Sequence, residues 1–304
     1  MKDFIIESRY LNPLTDFGFH RLFGTESCKE LLIDFLNEMI KEEGLITDVQ
    51  FLPPDRLGDL ETDRRAIFDI FCMNEKEEYF IVEMQKAKQP YFRDRSLFYA
   101  SFPIRIQAPQ GNWDFRLKAV YLVAVLDFVL FDEFEEDKIN VIESVHLVRE
   151  TTKTLFSKKL NFVFVELPKF RKTEKELKSN TDKWLYIMKN LSRLNDRPRS
   201  LHGKIFEKLF QSAEVKRLTA EDMKAYRKSV LEYRDVRDAV SLARDEGREE
   251  GIEKGIEKGI EKGIEEGRKE EKISVIQKCL QNNIPIEVII NITGFSREQI
   301  MELR

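Results

Sequence analysis

The sequence of 304 residues has few of the side chains that build zinc sites and disulfide frameworks. Its three cysteines, Cys28, Cys72 and Cys279, are far apart, and its three histidines do not cluster. This spacing excludes the usual structural zinc motifs and a disulfide framework. Because unpaired cysteines are typical of a reducing compartment, we expect a cytoplasmic protein.

Long hydrophobic segments are also lacking. The longest apolar run, residues 119–131, is interrupted by Asp127 and is too short to cross a bilayer. Residues 1–14 contain neither the charged region nor the apolar region of a secretory signal. We therefore expect no membrane segment, and we interpret the run as a buried strand.

Charged residues are abundant, at 35% of the chain, but unevenly distributed. Residues 245–272 carry 11 acidic and 7 basic residues, a difference that equals the net charge of −4. Residues 86–118 contain seven basic residues against two acidic ones, and residues 149–178 contain nine against four. These basic stretches are either solvated faces or a surface that faces a polyanion.

Apolar periodicity and turn residues predict mixed helices and strands first, and only helices after residue 174. The first helix, 13–24, has Thr15 or Asp16 as its N-cap, and Pro103 kinks a later helix or lies near its end. The order indicates an α/β or α+β core with a helical extension. The predicted helices are 13–24, 27–43, 95–107, 182–194, 203–213 and 220–243, and the predicted strands are 47–52, 118–130, 141–149 and 160–167 with a hairpin at 68–85.

Residues 247–267 form a tetrapeptide array with glycine at every fourth position and a parallel stripe of isoleucines. A lone helix with this sequence is weak, because each glycine costs about 1 kcal/mol relative to alanine. Two interpretations stay open. Either a partner helix lies along the glycine stripe and forms a homo-oligomer, or the array is a flexible spacer.

Residues 271–304 predict a small helical unit with a helix-turn-helix rhythm, in which Ser296 and Gln299 form a capping box. Because basic residues are few, a protein contact is as plausible as DNA binding. We divide the chain into a core, 1–170, a helical extension, 171–244, the array, 245–270, and this C-terminal unit.

The hairpin at 68–85, FDIFCMNEKEEYFIVEMQ, carries a carboxylate inside each apolar strand. Such a buried charge is costly unless a cation compensates it. Asp69 and Glu83 share a sheet face only if the numbers of opposite residues add up to an even value. A three-residue loop, with Asp69 opposite Ile81, or a five-residue loop, with Asp69 opposite Glu83, meets this condition. A four-residue loop separates the two acids.

If they converge, Asp69 and Glu83 form a hard-oxygen site suited to Mg²⁺ or Mn²⁺, completed by water and phosphate oxygens. Such an ion lowers the pKa of a bound water and stabilises developing charge on a phosphodiester. Gln85, on the same face as Glu83, can orient the water or the phosphate. The alternative is a structural salt-bridged pair with Arg64, Arg65 or Lys86 as counter-ions.

The hairpin and the segments around it resemble known nucleases. Asp69 with Glu83-Met84-Gln85 is similar to the active-site hairpin of the PD-(D/E)XK nuclease superfamily. Within it, the chain most resembles the Rpn family of recombination-promoting nucleases, also labelled transposases. The matching segments, which extend over nearly the whole chain, are NPLTDFGFHRLFG, FDIFC, FIVEMQKAKQ, FRDRSLFYASFPIRIQ, LKAVYLVAVLDF, VELPKF, DKWLYIMKNL, the Gly-Ile-Glu-Lys array and ITGFS.

The resemblance implies a restriction-endonuclease-like α/β (α+β) core, with a mixed sheet flanked by helices, and a helical C-terminal extension. It also implies an Mg²⁺- or Mn²⁺-dependent endonuclease acting on double-stranded DNA, linked to recombination or to defence against incoming DNA. Asp69 and Glu83 would be the metal ligands and Gln85 the third catalytic residue. A homo-oligomer would place two active sites on the two strands of a duplex. The residues expected to contact DNA are Lys86, Lys88, Arg93 and Arg95.

Gln85 departs from the superfamily pattern, which has lysine there, and a neutral amide cannot stabilise charge as a cation. Either the metal stabilises more of this charge or a cation comes from elsewhere, and Arg95 is the candidate because Lys86 should point to the opposite face. The alternative roles of Arg95 are phosphate positioning and a charge at the helix end. Asp16 matches the opening family motif but is expected to act as a helix cap. The label transposase is not taken as a mechanism, because the sequence lacks the separated acidic triad of RNase H-like enzymes.

Two other functions stay open. Gln85 is compatible with a catalytically impaired nuclease core that serves as a DNA-binding or protein-interaction module. A third possibility is a helical assembly protein whose α/β core is only structural.

Overall fold

The computed structural model describes residues 8–40, 46–53, 68–108 and 113–303. In this part of the chain, six strands form one mixed sheet in the order β1-β2-β3-β4-β6-β5. β3, β4 and β6 are parallel neighbours, whereas the β1-β2, β2-β3 and β5-β6 pairs are antiparallel. The strands are β1 Val49–Phe51, β2 Ile70–Asn74, β3 Tyr79–Gln85, β4 Val120–Leu126, β5 Ile142–Val148 and β6 Leu155–Glu166.

Helices cover both faces of the sheet, and this makes its central strands almost wholly buried. Every residue of β4, VYLVAVL, is buried, as expected for a parallel strand between two helical layers. The mixed sheet with flanking helices confirms the predicted fold class. The helices are α1 Asp16–Phe23, α2 Lys29–Met39, α3 Phe92–Ile106, α4 Asn180–Asn190, α5 Lys204–Ala213, α6 Ala220–Gln281, α7 Ile286–Thr293 and α8 Arg297–Glu302.

Two hydrophobic clusters define the two faces of the sheet. On one face, which we call the α1/α4 face, alternate strand residues such as Val82 and Met84 pack with α1, α2, α4 and α5. On the other, the α3 face, Ile81 and Ala124 pack with Phe92 and Phe102 of α3. Because strand side chains alternate, successive residues of β3 are assigned to opposite layers.

Several boundaries differ from the predicted ones. β6 begins at Leu155 rather than at residue 160, because its polar first half is an exposed extension that pairs with β5 through an irregular register. α3 begins at Phe92, three residues early, and contains Pro103 close to its end. The end of the predicted helix 27–43 lies outside the described residues.

The array is helical, because α6 continues from Ala220 through all six array glycines to Gln281. The chain divides into two units, Met1–Asp238 and Ala239–Arg304. In the second unit, Ile276, Ile289 and Ile300 form a small core among the end of α6, α7 and α8. The predicted capping box of Ser296 and Gln299 is present at the start of α8. In the described ranges, no helix is long and apolar enough to cross a membrane.

A fully buried ion pair closes the carboxyl end of β6. Glu166 is 0% exposed, and its carboxylate pairs with Lys169, whose side chain is 4% exposed. The same carboxylate accepts hydrogen bonds from the backbone N–H groups of Leu130 and Phe131. It therefore fixes the segment that follows β4 against the end of β6.

We expect Lys169→Met to lower the free energy of unfolding by about 3–5 kcal/mol, because it leaves the Glu166 carboxylate buried without its cation. The double variant Glu166→Gln/Lys169→Met should recover most of this loss, since the neutral amide oxygen still accepts from the backbone. Urea unfolding measures both effects.

The control is Lys138→Met, which breaks an exposed pair with Glu135 and should change stability by less than about 1 kcal/mol. Equal stabilities of the Lys169→Met and Lys138→Met variants would show that the buried pair does not stabilise the fold.

Candidate active site

The register of the β2-β3 hairpin decides whether the two acids meet. Phe71 pairs with Ile81, and Met73 pairs with Tyr79. Continuing this register by two residues places Asp69 opposite Glu83. This is the second of the two registers that bring the acids to one face, so the condition for their convergence is met.

The hairpin turn sets this register through backbone and side-chain hydrogen bonds. The N–H of Asn74 donates to the carbonyl oxygen of Glu78 at 3.0 Å. The side-chain oxygen of Asn74 accepts from the N–H groups of Lys76 and Glu78. Glu77 adopts the left-handed region, with φ of 62°, which lets the chain reverse. With this turn, the numbers of opposite residues in β2 and β3 add up to an even value.

Glu83 lies in the middle of the sheet with only part of its hydrogen-bonding capacity satisfied. It is 3% exposed, because β3 is a central strand between β2 and β4. Its Oε2 accepts a hydrogen bond from Nε2 of Gln85 at 3.0 Å. Its Oε1 is buried and has no hydrogen-bond partner in the described part of the chain. A buried acceptor of this kind marks a place where a cation or a donor is missing.

Asp69 lies directly before β2, and its side chain is on the same face of the sheet as that of Glu83. Its Oδ2 accepts a hydrogen bond from the backbone N–H of Met84 at 2.7 Å. This bond joins the start of β2 to β3 and fixes the carboxylate beside Glu83. Both acids and the Gln85 amide, which is 9% exposed, therefore lie at one end of the central strands.

The electrostatic environment disfavours charge on both acids. Burial, and then the negative charge of Asp69, raise the pKa of Glu83 to about 8, against opposing effects of Arg95 and Gln85. Burial also raises the pKa of Asp69, while the Met84 N–H, Lys86 and Arg95 lower it. In the absence of a bound cation, Glu83 therefore holds its proton at neutral pH.

Arg95 is the predicted DNA-binding residue whose charge acts on both acids. Its charge lowers the pKa of Asp69 and that of Glu83. Nη1 donates to Oε1 of Gln89 at 2.7 Å, and the guanidinium lies 4.8 Å from the ring centroid of Tyr99. These two contacts hold the guanidinium at the start of α3, beside the acidic hairpin.

Lys86 lies on the other side of the sheet from Glu83, as alternation predicts. Its Nζ is 2.7 Å from Oδ1 of Asp16 in α1, and its side chain is only 14% exposed. The expectation that Asp16 caps the helix is wrong. Thr15 is the N-cap and accepts from the N–H of Gly18, so that Asp16 is free to pair with Lys86.

Arg93 and Lys88 lie further from the acids, in a groove of about 520 Å³ that also contains Asp94, Asp132 and Glu133. Arg93 pairs with Glu133 and lies 4.7 Å from the ring centroid of Phe131. Because acids outnumber bases in this groove, its charge does not favour a phosphate. DNA contact by these two residues stays a prediction.

The proposed counter-ions for a purely structural acid pair do not account for it. Lys86 forms its ion pair with Asp16, and Arg64 and Arg65 lie outside the described residues. No group of three or more His, Cys, Asp or Glu side chains in the described ranges is arranged to hold a metal. A metal here would be held by two carboxylates with water or other oxygens, which is the arrangement that Mg²⁺ commonly has.

His20, to which the sequence pattern gives no role, shares a pocket with Asp69. The pocket has a volume of about 210 Å³ and is also lined by Gly24, Phe51 and Phe71. A Cβ at Gly24 would lie 2.6 Å from Cδ2 of His20, so this glycine leaves room for the imidazole ring. The signal in the sequence is the spacing of His20 one helical turn after Asp16.

Comparison with known proteins identifies the family of the chain. A family model described as a PD-(D/E)XK nuclease family transposase matches residues 13–243, which is more than half of the chain. The chain belongs to this family. No curated protein and no solved structure matches it. The family match contains all six strands and the hairpin with its two acids and Gln85, and it supports a nuclease or transposase-like function with DNA as the substrate.

We expect the free energy of unfolding, measured without divalent metal, to fall as the pH rises from about 5 to 8. Glu83 keeps its proton up to a pKa of about 8 when folded, against an ordinary value of 4.5. The folded state therefore binds more protons than the unfolded state within this window. Chemical denaturation in EDTA at a series of pH values measures the decline.

The variant Glu83→Gln is neutral at every pH and should show a weaker decline than the wild-type protein. Glu77→Gln removes an exposed carboxylate of the same hairpin and should retain the wild-type decline. Identical pH profiles for wild type and Glu83→Gln would show that Glu83 ionises normally.

Proposed function

We propose that this chain is a metal-dependent endonuclease that hydrolyses phosphodiester bonds in double-stranded DNA. The observation that supports this best is the Asp69 and Glu83 pair, in which a buried carboxylate oxygen has no hydrogen-bond partner among the described residues. Family membership supplies the reaction class. As the resemblance implies, we assign this activity to recombination or to defence against incoming DNA.

The donor set fits Mg²⁺ or Mn²⁺. Both ions prefer carboxylate and water oxygens, and Oε1 of Glu83 is available as such a ligand. A divalent cation would oppose the raised pKa values that burial causes, because its positive charge favours the charged form of both carboxylates. Metal binding would then release the proton that Glu83 holds at neutral pH.

In this mechanism Asp69 and Glu83 would be the metal ligands, and Gln85 would orient the attacking water and the scissile phosphate. When bound, the cation supplies positive charge to the attacking water and to the scissile phosphate. Gln85 donates its Nε2 hydrogen bond to Glu83, which leaves its carbonyl oxygen to accept a hydrogen bond from the water. Its position next to Glu83 therefore suits water positioning rather than charge stabilisation.

Arg95 supplies the cationic charge that the Gln85 amide lacks. Its charge already acts on both acids, and its guanidinium has donors that suit phosphate oxygens. We propose that Arg95 stabilises the negative charge that develops on the phosphate while the water attacks.

The second candidate is a catalytically impaired module that binds DNA or a protein through the same core. The neutral Gln85, in place of the superfamily lysine, favours it. A protein of this kind binds DNA but shows no metal-dependent cleavage, and this difference separates the two functions.

We extend the proposal to a homo-oligomer that forms through the array. The four isoleucines of the stripe are more than half exposed, at 52%, 59%, 59% and 53% for Ile252, Ile256, Ile260 and Ile264. A Cβ added at any array glycine would meet no atom within 4 Å. A second copy of the helix can therefore approach the glycine stripe closely and cover the isoleucines.

We expect Asp69→Asn and Glu83→Gln each to lower the rate of plasmid nicking by at least about 10²-fold, because a lost ligand removes several kcal/mol of charge stabilisation. The wild-type protein should cut with Mg²⁺ or Mn²⁺ and not in EDTA. Agarose gel analysis of supercoiled plasmid measures the rates.

The matched control is Asp114→Asn, which neutralises an exposed carboxylate that pairs with Arg116 before β4 and should leave the rate unchanged. If all four proteins cut equally, the activity comes from a contaminant. If none cuts but the wild type binds DNA, the impaired module is the correct function.

We expect Gly255→Ala and Gly259→Ala to stabilise the isolated helix by about 1 kcal/mol each and yet to weaken self-association. In the single chain the added methyl groups meet open space, but between two close helices they separate the backbones. Sedimentation velocity over a range of concentrations measures association, and circular dichroism measures helix content.

Ser241→Ala, in the same helix but outside the array, is the control and should leave association unchanged. If both glycine variants associate as tightly as the wild type, the glycine stripe is not the contact.

A further inference from the structure

A partly buried carboxylate that the proposed chemistry does not use lies beside Gln85. Asp127 directly follows β4, and its backbone N–H donates to the carbonyl oxygen of Gln85 at 2.9 Å. Its Oδ2 accepts a hydrogen bond from the hydroxyl of Tyr233, a buried residue in the first part of α6, at 2.7 Å. Asp127 is thereby fixed at the same end of the sheet as Glu83 and Gln85.

The side chain of Asp127 lies on the α1/α4 face, opposite to Arg95. Tyr233 and Val125 belong to the hydrophobic cluster of that face, whereas Phe92 and Ala100 of α3 belong to the other. Asp127 on one face and Arg95 on the other therefore lie at the same end of the central strands, with the acidic hairpin between them.

The charges of three cations act on Asp127: Arg237 of α6, Lys189 of α4 and Arg193 just after α4. Burial raises the pKa of this carboxyl, while the Tyr233 hydroxyl and the charges of Arg237, Lys189 and Arg193 lower it. Lys189 lies at the end of α4 and donates to the carbonyl oxygen of Phe170 at 2.5 Å. The guanidinium of Arg237 lies 5.8 Å from the ring centroid of Tyr233.

Near Asp127, positively charged side chains outnumber the acidic ones. Burial and the positive charges of Arg193 and Arg171 lower the pKa of Lys189, which shows that these cations repel one another. Arg171, Lys189 and Asn190 also line a pocket of about 320 Å³. Two carboxylates, Asp127 and the Glu174 that lines the same pocket, are outnumbered by the four cations Arg171, Lys189, Arg193 and Arg237, and this excess of positive charge attracts an anion.

We propose that Arg171, Arg193 and Arg237 form a second DNA-binding surface, which binds backbone phosphates beside the scissile bond on the opposite side of the sheet edge from Arg95. This inference rests on the proposed nuclease function. It adds a surface that the basic stretch 86–118 does not contain.

The distribution of the cations selects DNA rather than a small phosphate compound. All three arginines are exposed and come from separate elements, instead of enclosing one anion. Exposed guanidinium groups on separate elements suit the repeating charges of a nucleic acid backbone. Asp127 holds Tyr233 of α6 beside Gln85 through its two hydrogen bonds.

The test is the salt dependence of binding to a short DNA duplex, measured by fluorescence anisotropy in EDTA. For each phosphate contact that is lost, the slope of log K against log salt concentration should become shallower by about 0.9. We expect this change for Arg193→Gln and for Arg237→Gln, and the wild-type slope for Arg193→Lys. Arg171→Gln provides an independent measurement if the Arg237 variant does not fold.

Arg217→Gln is the matched control, because Arg217 is an exposed arginine that pairs with Glu214 and lies outside both basic stretches of the sequence. The surface is excluded if the Arg193, Arg237 and Arg171 variants keep the wild-type slope while the wild type binds and cleaves DNA. If the wild type neither binds nor cleaves DNA with metal present, the proposed function fails together with this inference.

Discussion

The burial of Glu83 beside Asp69 without a neutralising partner is the constraint on which the rest of the site depends. Two carboxylates that share a nonpolar sheet interior cannot both be charged at a modest cost in free energy. The fold nevertheless places both there, and it leaves one oxygen of Glu83 without a hydrogen-bond partner in the described ranges. This arrangement is unfavourable for a purely structural acid pair and suits a pair that binds a cation.

The surrounding elements maintain this constraint. The hairpin turn around Asn74 sets the register, and the Met84 N–H fixes the Asp69 carboxylate. Helices on both faces bury β3, so water cannot screen the two charges. Arg95 and Lys86 reduce the repulsion but do not pair directly with either acid, since Arg95 is held by Gln89 and Lys86 by Asp16.

The edge where these acids lie combines contributions from both layers of the fold. α3 provides Arg95 on one side, and α6 with the segment after α4 provides Arg237 and Arg193 on the other. Carboxylates also fix the chain at the ends of two parallel strands: the partly buried Asp127 follows β4, and the buried Glu166 ends β6. Parallel strands place their carboxyl ends at one edge, which explains why residues that are distant in the sequence converge there.

The sequence by itself determined the fold class, the presence of a buried strand within residues 119–131 and the two acids, because these depend on local periodicity and on apolar flanks. It limited the hairpin to a few registers but could not choose among them, since the turn geometry follows from backbone hydrogen bonds of Asn74. It also missed the neighbours of His20 and Asp127, because each contacts residues far away in the chain. Only the tertiary structure decided which cations approach the acids: Arg95 acts on both, whereas Arg93 is paired with Glu133 by the packing of the segment after β4.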